Sequence, residues 1–446
     1  MSTRATRAAS SATRNSKLGD RLRQLRVAAG LTQSDLARDR FSKEYISQIE
    51  RGKTRPTAET IEWLAASLGV DPAFLASGVS SDERARAEAV LTRAEALVEK
   101  HEYLASIDEY GRALGPVMST GAVELRVRLL SGEAWARILN GEVREGLQLL
   151  EQARSFGEGP EFSDLDRAEI LFRLGAGRYL ISSIATAIAL FGESLALIDG
   201  SELPSDLLRA KVLTWRSRCY RRQRDYEAAR EDVERALELA ESTQDAYTLG
   251  DSYFQASVIA ERDGHWVLAR TYAERAKSQF EELSDRGNLG RLLNNLGGLD
   301  FLLGNPEKAI ARLTEAIEVA IECDDDVGVA TAVSSLAQVY LRTGDPVRAE
   351  EHARHALRRL DGREDRMDEI GNAQLVLGRA LLEQERLDES GAVLAEAEDA
   401  FAQLSSGSHR AAAWVAQGDL AQRRGDDRQA ATLYRRAAEA LQDFRF

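Results

Sequence analysis

The sequence predicts an all-α protein in which a small basic helical domain precedes a long array of stacked helical hairpins. Three observations carry this expectation: only 7 prolines in 446 residues, a small-residue pattern returning about every 40 positions, and a charge balance that changes sign along the chain. Abundant Ala, Leu, Arg and Glu with few prolines favour long helices over a turn-rich sheet. A composition 43% apolar and 30% charged belongs to a folded chain rather than a disordered one.

Residues 1–17 hold Arg4, Arg7, Arg14 and Lys17 but no acid and no apolar face, and read as a flexible basic arm. Residues 1–78 together carry 13 Lys/Arg against 8 Asp/Glu, a net charge of +5, whereas the remainder carries 46 against 65, a net charge of −19. A basic head on an acidic body suits a head that meets a polyanion while the body stays off it.

Leu18 to Ala28 predicts a first helix with Leu18, Leu22, Leu25 and Val27 inward, stopped by Gly30. Thr32 caps a second helix from Gln33, with Leu36 and Ala37 inward, and Ser42 caps a third, Lys43 to Glu50, with Ile46 and Ile49 inward. A fourth runs from Thr60 to Leu68, and Val70, Phe74 and Leu75 close a small core.

Leu31-Thr32-Gln33-Ser34-Asp35-Leu36-Ala37, then Tyr45-Ile46-Ser47-Gln48-Ile49-Glu50-Arg51-Gly52-Lys53, then Pro56 and Leu68-Gly69-Val70, resemble the Cro/phage-repressor (xenobiotic-response-element) class of helix-turn-helix domains. The resemblance covers residues 18–78 and implies a second helix across the phosphate backbone with a third in the major groove. It puts Lys43, Glu44, Ser47 and Gln48 against base edges. There Lys43 would donate to guanine, Glu44 would accept from cytosine and Gln48 would pair with adenine. Gln33, Arg51, Lys53, Thr54 and Arg55 fall where the family meets phosphates. Glu50 is expected to cap or pair within the domain. The turn Arg38-Asp39-Arg40-Phe41 departs from the pattern, lacking its usual Gly and standing one residue short.

From residue 83 to 446 a small residue opens each second helix: Ala105, Gly146, Ala187, Ala229, Ala269, Ala309, Ala349, Ser390 and Ala430, spaced 40 to 42 apart. Small residues recur seven positions later, from Ala153 to Ala437, and twelve positions earlier at Ala134, Gly175, Ser217, Ser257, Gly297, Ala337, Gly378 and Gly418. Only the first unit, with Arg112, falls out of step. Small side chains at these places let two helices approach closely. Asp225, Asn305, Asp345 and Asp426 are expected N-caps, with Pro306 and Pro346 at the first helical position. The pattern is similar to the tetratricopeptide repeat, whose usual period is about 34 residues. It predicts an α-solenoid of about nine hairpins, with units one and three degenerate.

In that repeat the positions six and three before the small residue, and one and four after it, line the concave surface. Here these are Arg128, Ser131 and Trp135; Glu169, Phe172 and Tyr179; Lys211, Thr214, Arg218 and Arg221; then Asp251, Phe254, Arg291, Asn294, Gln338, Asn372 and Arg379. The cations Lys211, Arg218 and Arg221, with Asn294 where the family binds backbone amides, suit an extended peptide whose carboxylate meets the basic group.

Other chemistry lacks support. Gly175-Ala176-Gly177 lies in a helix pattern and reads as packing rather than a phosphate loop. His352 and His355 lack further ligands for a metal, and Cys219 and Cys323, 104 positions apart, read as core fillers. The longest uncharged stretch, Tyr179 to Gly192, has 14 residues, short of the ~20 that span a membrane. No catalytic residue, cofactor or metal is expected.

The whole architecture resembles the peptide-sensing regulators of Gram-positive quorum circuits (Rgg/PlcR type). That implies a cytoplasmic, sequence-specific transcriptional regulator, homodimeric on palindromic double-stranded DNA, whose repeats hold a peptide or protein effector. The alternative is an interaction scaffold whose repeats recruit a partner, with DNA binding secondary.

Overall fold

The computed structural model describes residues 18–442 apart from 79, 364, 365, 405 and 406. The expected basic arm, residues 1–17, lies outside them. Among the described residues there are 23 helices and no strand. They divide into two compact units, the first ending at Leu203 and the second beginning at Pro204.

The first unit opens with five short helices: α1 (18–28), α2 (Gln33–Ala37), α3 (Lys43–Glu50), α4 (Ala58–Leu68) and α5 (Pro72–Ser77). Leu22, Leu36, Ile46, Ile49, Leu64 and Leu75 are fully buried between them. Val27, expected inward, is instead 61% exposed, because it follows the last apolar contact of α1. The cap of α4 is Thr57, whose hydroxyl accepts from Thr60 N, so this helix starts two residues before the expected Thr60. Asp71 caps α5 with one carboxylate oxygen and takes the Ser81 N–H at 3.1 Å on the other. That backbone hydrogen bond leads the causes holding its carboxyl below the ordinary range.

Three hairpins follow: α6 (Ser81–Glu99) with α7 (Tyr103–Thr120), α8 (Val123–Leu139) with α9 (Val143–Gly157), and α10 (Asp164–Leu180) with α11 (Ile184–Gly200). The second unit holds six more: α12 (Asp206–Gln223) with α13 (Tyr226–Thr243), α14 (Ala246–Arg262) with α15 (Trp266–Glu282), α16 (Arg286–Leu302) with α17 (Pro306–Glu322), α18 (Asp326–Arg342) with α19 (Pro346–Arg359), α20 (Met367–Glu383) with α21 (Leu387–Ala402), and α22 (Gly407–Arg423) with α23 (Asp427–Gln442). These are nine hairpins, each packed within itself and against the next in its own unit.

The small residues of the first helices are explained by what faces them. A Cβ added to Gly175 would lie 2.6 Å from Phe191, one on Gly297 2.6 Å from Leu313, one on Gly378 2.5 Å from Leu394, and one on Gly418 2.6 Å from Tyr434. Each large residue stands four positions past the small residue opening its second helix, so one side chain fills the space that its partner vacates.

The first hairpin corrects the expected register. Ala105 is exposed, and the buried small residue is Ser106, whose hydroxyl donates to Ala94 O at 2.8 Å. Ser390 makes the same bond to Gly378 O, again twelve positions back. With Ser106 as the marker, Ala113 and Ala94 occupy the two other small positions, both fully buried, and this hairpin is regular.

Asp225, Asp345 and Asp426 cap their helices as expected, but Asn305 turns its amide to Leu303 O and makes no cap. Asp245, Asp285 and Asp325, exactly periodic at 40 residues, cap the preceding inter-hairpin turns onto α14, α16 and α18. Cys219 is buried, whereas Cys323 is exposed at a helix end rather than filling the core.

Candidate nucleic-acid interface and solenoid groove

The recognition segment is built around one buried carboxylate. Glu50, at the end of α3, accepts from Arg26 Nε at 2.6 Å, Arg26 Nη2 at 3.2 Å and Gln33 Nε2 at 2.8 Å. Arg26 also donates to Leu31 O at 2.7 Å, so α1, the start of α2 and the end of α3 meet at a single ion pair. Its hydrogen bonds to Glu50 raise the Arg26 guanidinium above its already high value. Beside it, Gly19 of α1 crosses α3 so closely that a Cβ would lie 2.5 Å from the carbonyl oxygens of Ile49 and Glu50. Glycine is the residue this crossing admits.

The Thr32 hydroxyl and the Asp35 carboxylate form a reciprocal capping box on α2, and Ser42 caps α3 through Tyr45 N at 3.1 Å. Between the two helices Arg38 takes φ +46°, the conformation a Gly would adopt at less cost, which is how the short turn closes without one. Phe41 packs against Tyr45 and Trp63 with ring centres 5.2 and 5.1 Å apart, anchoring the entry to α3.

With Ile46 and Ile49 buried, helical spacing turns Lys43, Glu44, Ser47 and Gln48 to the outside; Ser47 is half-buried and the other three exposed. Thr54 donates to Gln48 Oε1 at 2.9 Å, which holds that amide and leaves its NH2 group outward. Arg51, Lys53 and Arg55 are exposed around the same end of α3, while Gln33 is half-buried and tied to Glu50. A charged rim thus surrounds a polar helical face able to donate and accept.

The groove positions divide into those committed within the fold and those left open. In the first unit Arg128 pairs with Glu95 of the neighbouring hairpin through Nε and Nη2, both at 2.6 Å. Phe172 is buried, with ring centres 6.0 Å from Trp135 and 6.2 Å from Phe191, and Tyr179 is half-buried. Phe172 therefore belongs to the core rather than to an open surface.

In the second unit the expected basic group is also altered. Arg218 is neutralised by Asp251, and both side chains are 12% exposed. Thr214 is buried and hydrogen-bonds Ala210 O and Ser252 Oγ, while Phe254 is buried beneath the Arg291 guanidinium, 6.0 Å from its ring centre. The neighbouring hairpin covers these positions, so they join repeats together. Lys211 and Arg221 are half-buried.

Asn294, Asn372 and Arg379 are half-buried, and Arg291 and Gln338 exposed. Among the described residues, no donor reaches the buried Asn294 Oδ1 and no acceptor reaches Arg379 Nε. Burial lowers the Arg379 guanidinium and nearby Arg342 adds to the effect, with Asp419 opposing both. Two further residues went unread from sequence. Gln255, 5% exposed, likewise leaves Oε1 without a donor. Glu261 accepts from Asn295 at 3.1 Å, and burial pushes its carboxyl up against the pull of Arg262, Asn295 and Arg221. Glu261, four positions past Ser257, stands at a concave position of the repeat pattern that the expected set passed over, whereas Gln255 stands at none and completes no motif.

Among the described residues no group of three or more His, Cys, Asp or Glu side chains is arranged to hold a metal ion. His352 instead stacks on Tyr340, 5.3 Å between ring centres. No described helix is long and apolar enough to cross a membrane.

A helix-turn-helix domain model matches residues 17–77, and tetratricopeptide repeat models match 210–242, 252–322 and 288–361. The HTH-type transcriptional regulator DdrOP3 of Deinococcus deserti is 42% identical over 64 residues, 14% of this chain and 50% of that protein. The chain thus spans half the length of that relative. An uncharacterized HTH-type transcriptional regulator of Sinorhizobium fredii, y4dJ, is 44% identical over 54 residues, 12% of this chain and 70% of that protein. The solved apo form of the quorum sensor NprR from B. thuringiensis shares the fold, with a TM-score of 0.60 and 11% identity over 79% of this chain and 98% of that one.

Proposed function

The chain belongs to the helix-turn-helix transcriptional regulators, and from that membership we propose that it acts as a homodimer on a palindromic DNA operator, with a peptide effector held by its tetratricopeptide repeats. The observation that carries the DNA half is the outward face of α3, Lys43, Glu44, Ser47 and Gln48, on a helix fixed at its far end by the buried Glu50 pair. A helix held this way enters a major groove as one rigid element, and its polar side chains meet base edges while Arg51, Lys53 and Arg55 meet phosphates.

Two substitutions separate these roles. Lys43→Ala is expected to cost about 1–3 kcal/mol against the preferred sequence and to relax discrimination at one base pair. Lys53→Ala is expected to weaken every sequence alike and to lower the slope of log K against log salt by about 1. Fluorescence anisotropy on matched and single-mismatch duplexes reads both; identical profiles for the two variants would remove the assignment.

The peptide half is carried by Asn294 Oδ1, a buried acceptor that no donor of the described residues reaches. Buried polar atoms seldom go unpaired, and a peptide N–H supplies the missing donor. Arg379 replaces the sequence-expected Arg218 as the cation for an effector carboxylate, since Asp251 already occupies Arg218. Peptides selected from a random library on the full chain are expected to lose about tenfold or more in affinity with Asn294→Ala, and similarly with Arg379→Ala. Titration calorimetry showing no change in either variant would relocate the effector.

A further inference from the structure

The outer face of α7 carries an apolar ridge that no described residue covers. Leu104, Leu114 and Met118 are 67%, 51% and 50% exposed, and Ile107 lies half-buried at the ridge's edge, one side of it packed against the core of the first hairpins. Gly111 and Gly115 stand within it, and a Cβ built on either meets nothing within 4 Å. The glycines at the hairpin crossings behave oppositely, since a Cβ at Gly175, Gly297 or Gly418 collides with a large side chain. Glycine inside a helix weakens it, and here no neighbour among the described residues returns the loss. Open glycines amid exposed large apolar groups suit a second helix approaching closely.

The residues also say which helix. About a point between Tyr110 and Gly111, Leu104 and Met118 are equidistant along α7 to within one position, as are Ile107 and Leu114 on one flank. On the other flank Asp108 and Arg112 are equidistant from that point to within one position and opposite in charge, Arg112 also donating to Glu109 at 2.9 Å on its own helix. An antiparallel copy of α7 related by a two-fold axis there sets Leu104 on the second copy's Met118 and Ile107 on its Leu114. The same axis sets Asp108 on its Arg112 and brings the two Gly111 backbones together. A face that matches itself in both apolarity and charge fits an isologous contact.

We infer that the outer face of α7, crossing at Gly111, is the surface through which two copies of this chain pair. The inference rests on the dimeric reading above and supplies its contact.

The test uses the full chain in sedimentation equilibrium, with Gly111→Arg beside Gly192→Arg, a second helical glycine whose Cβ position is also open. The wild type and Gly192→Arg are expected to be dimers, and Gly111→Arg to dissociate about thirtyfold more readily, the size of an interface hot spot. Its circular dichroism should be unchanged. In a Cys323→Ser background, Gly111→Cys is expected to give a covalent dimer with a short bis-maleimide, the remaining Cys219 being buried. A Gly111→Arg chain that stays dimeric, or a Gly111→Cys chain that fails to cross-link, overturns this surface while leaving a dimeric regulator standing. A wild type monomeric at every concentration overturns both.

Discussion

Glu50→Ala is expected to unfold the DNA-binding helices while the repeats stay folded. The Glu50 side chain is 4% exposed and Arg26 11%, and removing the carboxylate leaves the guanidinium buried with only Leu31 O to bond. Breaking one half of such a pair costs about 3–5 kcal/mol, because the surviving charge stays desolvated. A helical core of about sixty residues supplies little more than ~3–5 kcal/mol in total, so the loss exceeds what the domain can absorb. Calorimetry should show an early transition removed from the melting profile, and DNA retention should vanish. Replacing both partners with apolar side chains, Arg26→Met with Glu50→Leu, should restore the fold, since neither charge then remains buried. An alanine variant that melts like the wild type would mean the network does not hold α3.

Gly175→Val and Gly192→Ala are expected to move stability in opposite directions although both add carbon to a helix in the third hairpin. At Gly175 the new Cβ falls 2.6 Å from the Phe191 ring, which is fully buried. Overpacking of this kind costs about 1–3 kcal/mol and opens the α10–α11 crossing. At Gly192 nothing lies within 4 Å, and replacing a helical glycine there gains about 0.5–1 kcal/mol. Urea denaturation of the two variants gives the sign directly. If both lose stability equally, the small-residue register is not what sets hairpin packing.

What the sequence disclosed follows the range of the forces involved. The Thr32 and Ser42 caps were legible because each joins atoms three residues apart. The hairpin register was legible because close helix approach admits only small side chains, wherever the neighbour sits. It slipped by one in the first hairpin, where Ala105 and Ser106 are both small and only burial separates them. The outward set on α3 follows from helical period, but the Gln33 and Arg26 bonds to Glu50 cross 17 and 24 positions and carry no local signal. The groove was least legible. Phe172, Phe254 and Thr214 hold the predicted concave positions yet are buried by adjacent hairpins, and Arg218 meets Asp251 33 positions away. Repeat periodicity gives a position's place in its own hairpin, not how tightly the next one closes over it. One periodic signal was there to be read: Asp245, Asp285 and Asp325 recur every 40 residues because each caps the helix that starts a hairpin.

The basic five-helix domain is read as a duplex-binding device, and selection from a pool of random double-stranded DNA with the full chain tests that most directly. Enriched molecules should share an inverted repeat with half-sites about one helical turn apart, held with an affinity that falls steeply with salt. A pool that shows no common motif after repeated rounds at low ionic strength, or binding indifferent to salt, would contradict it.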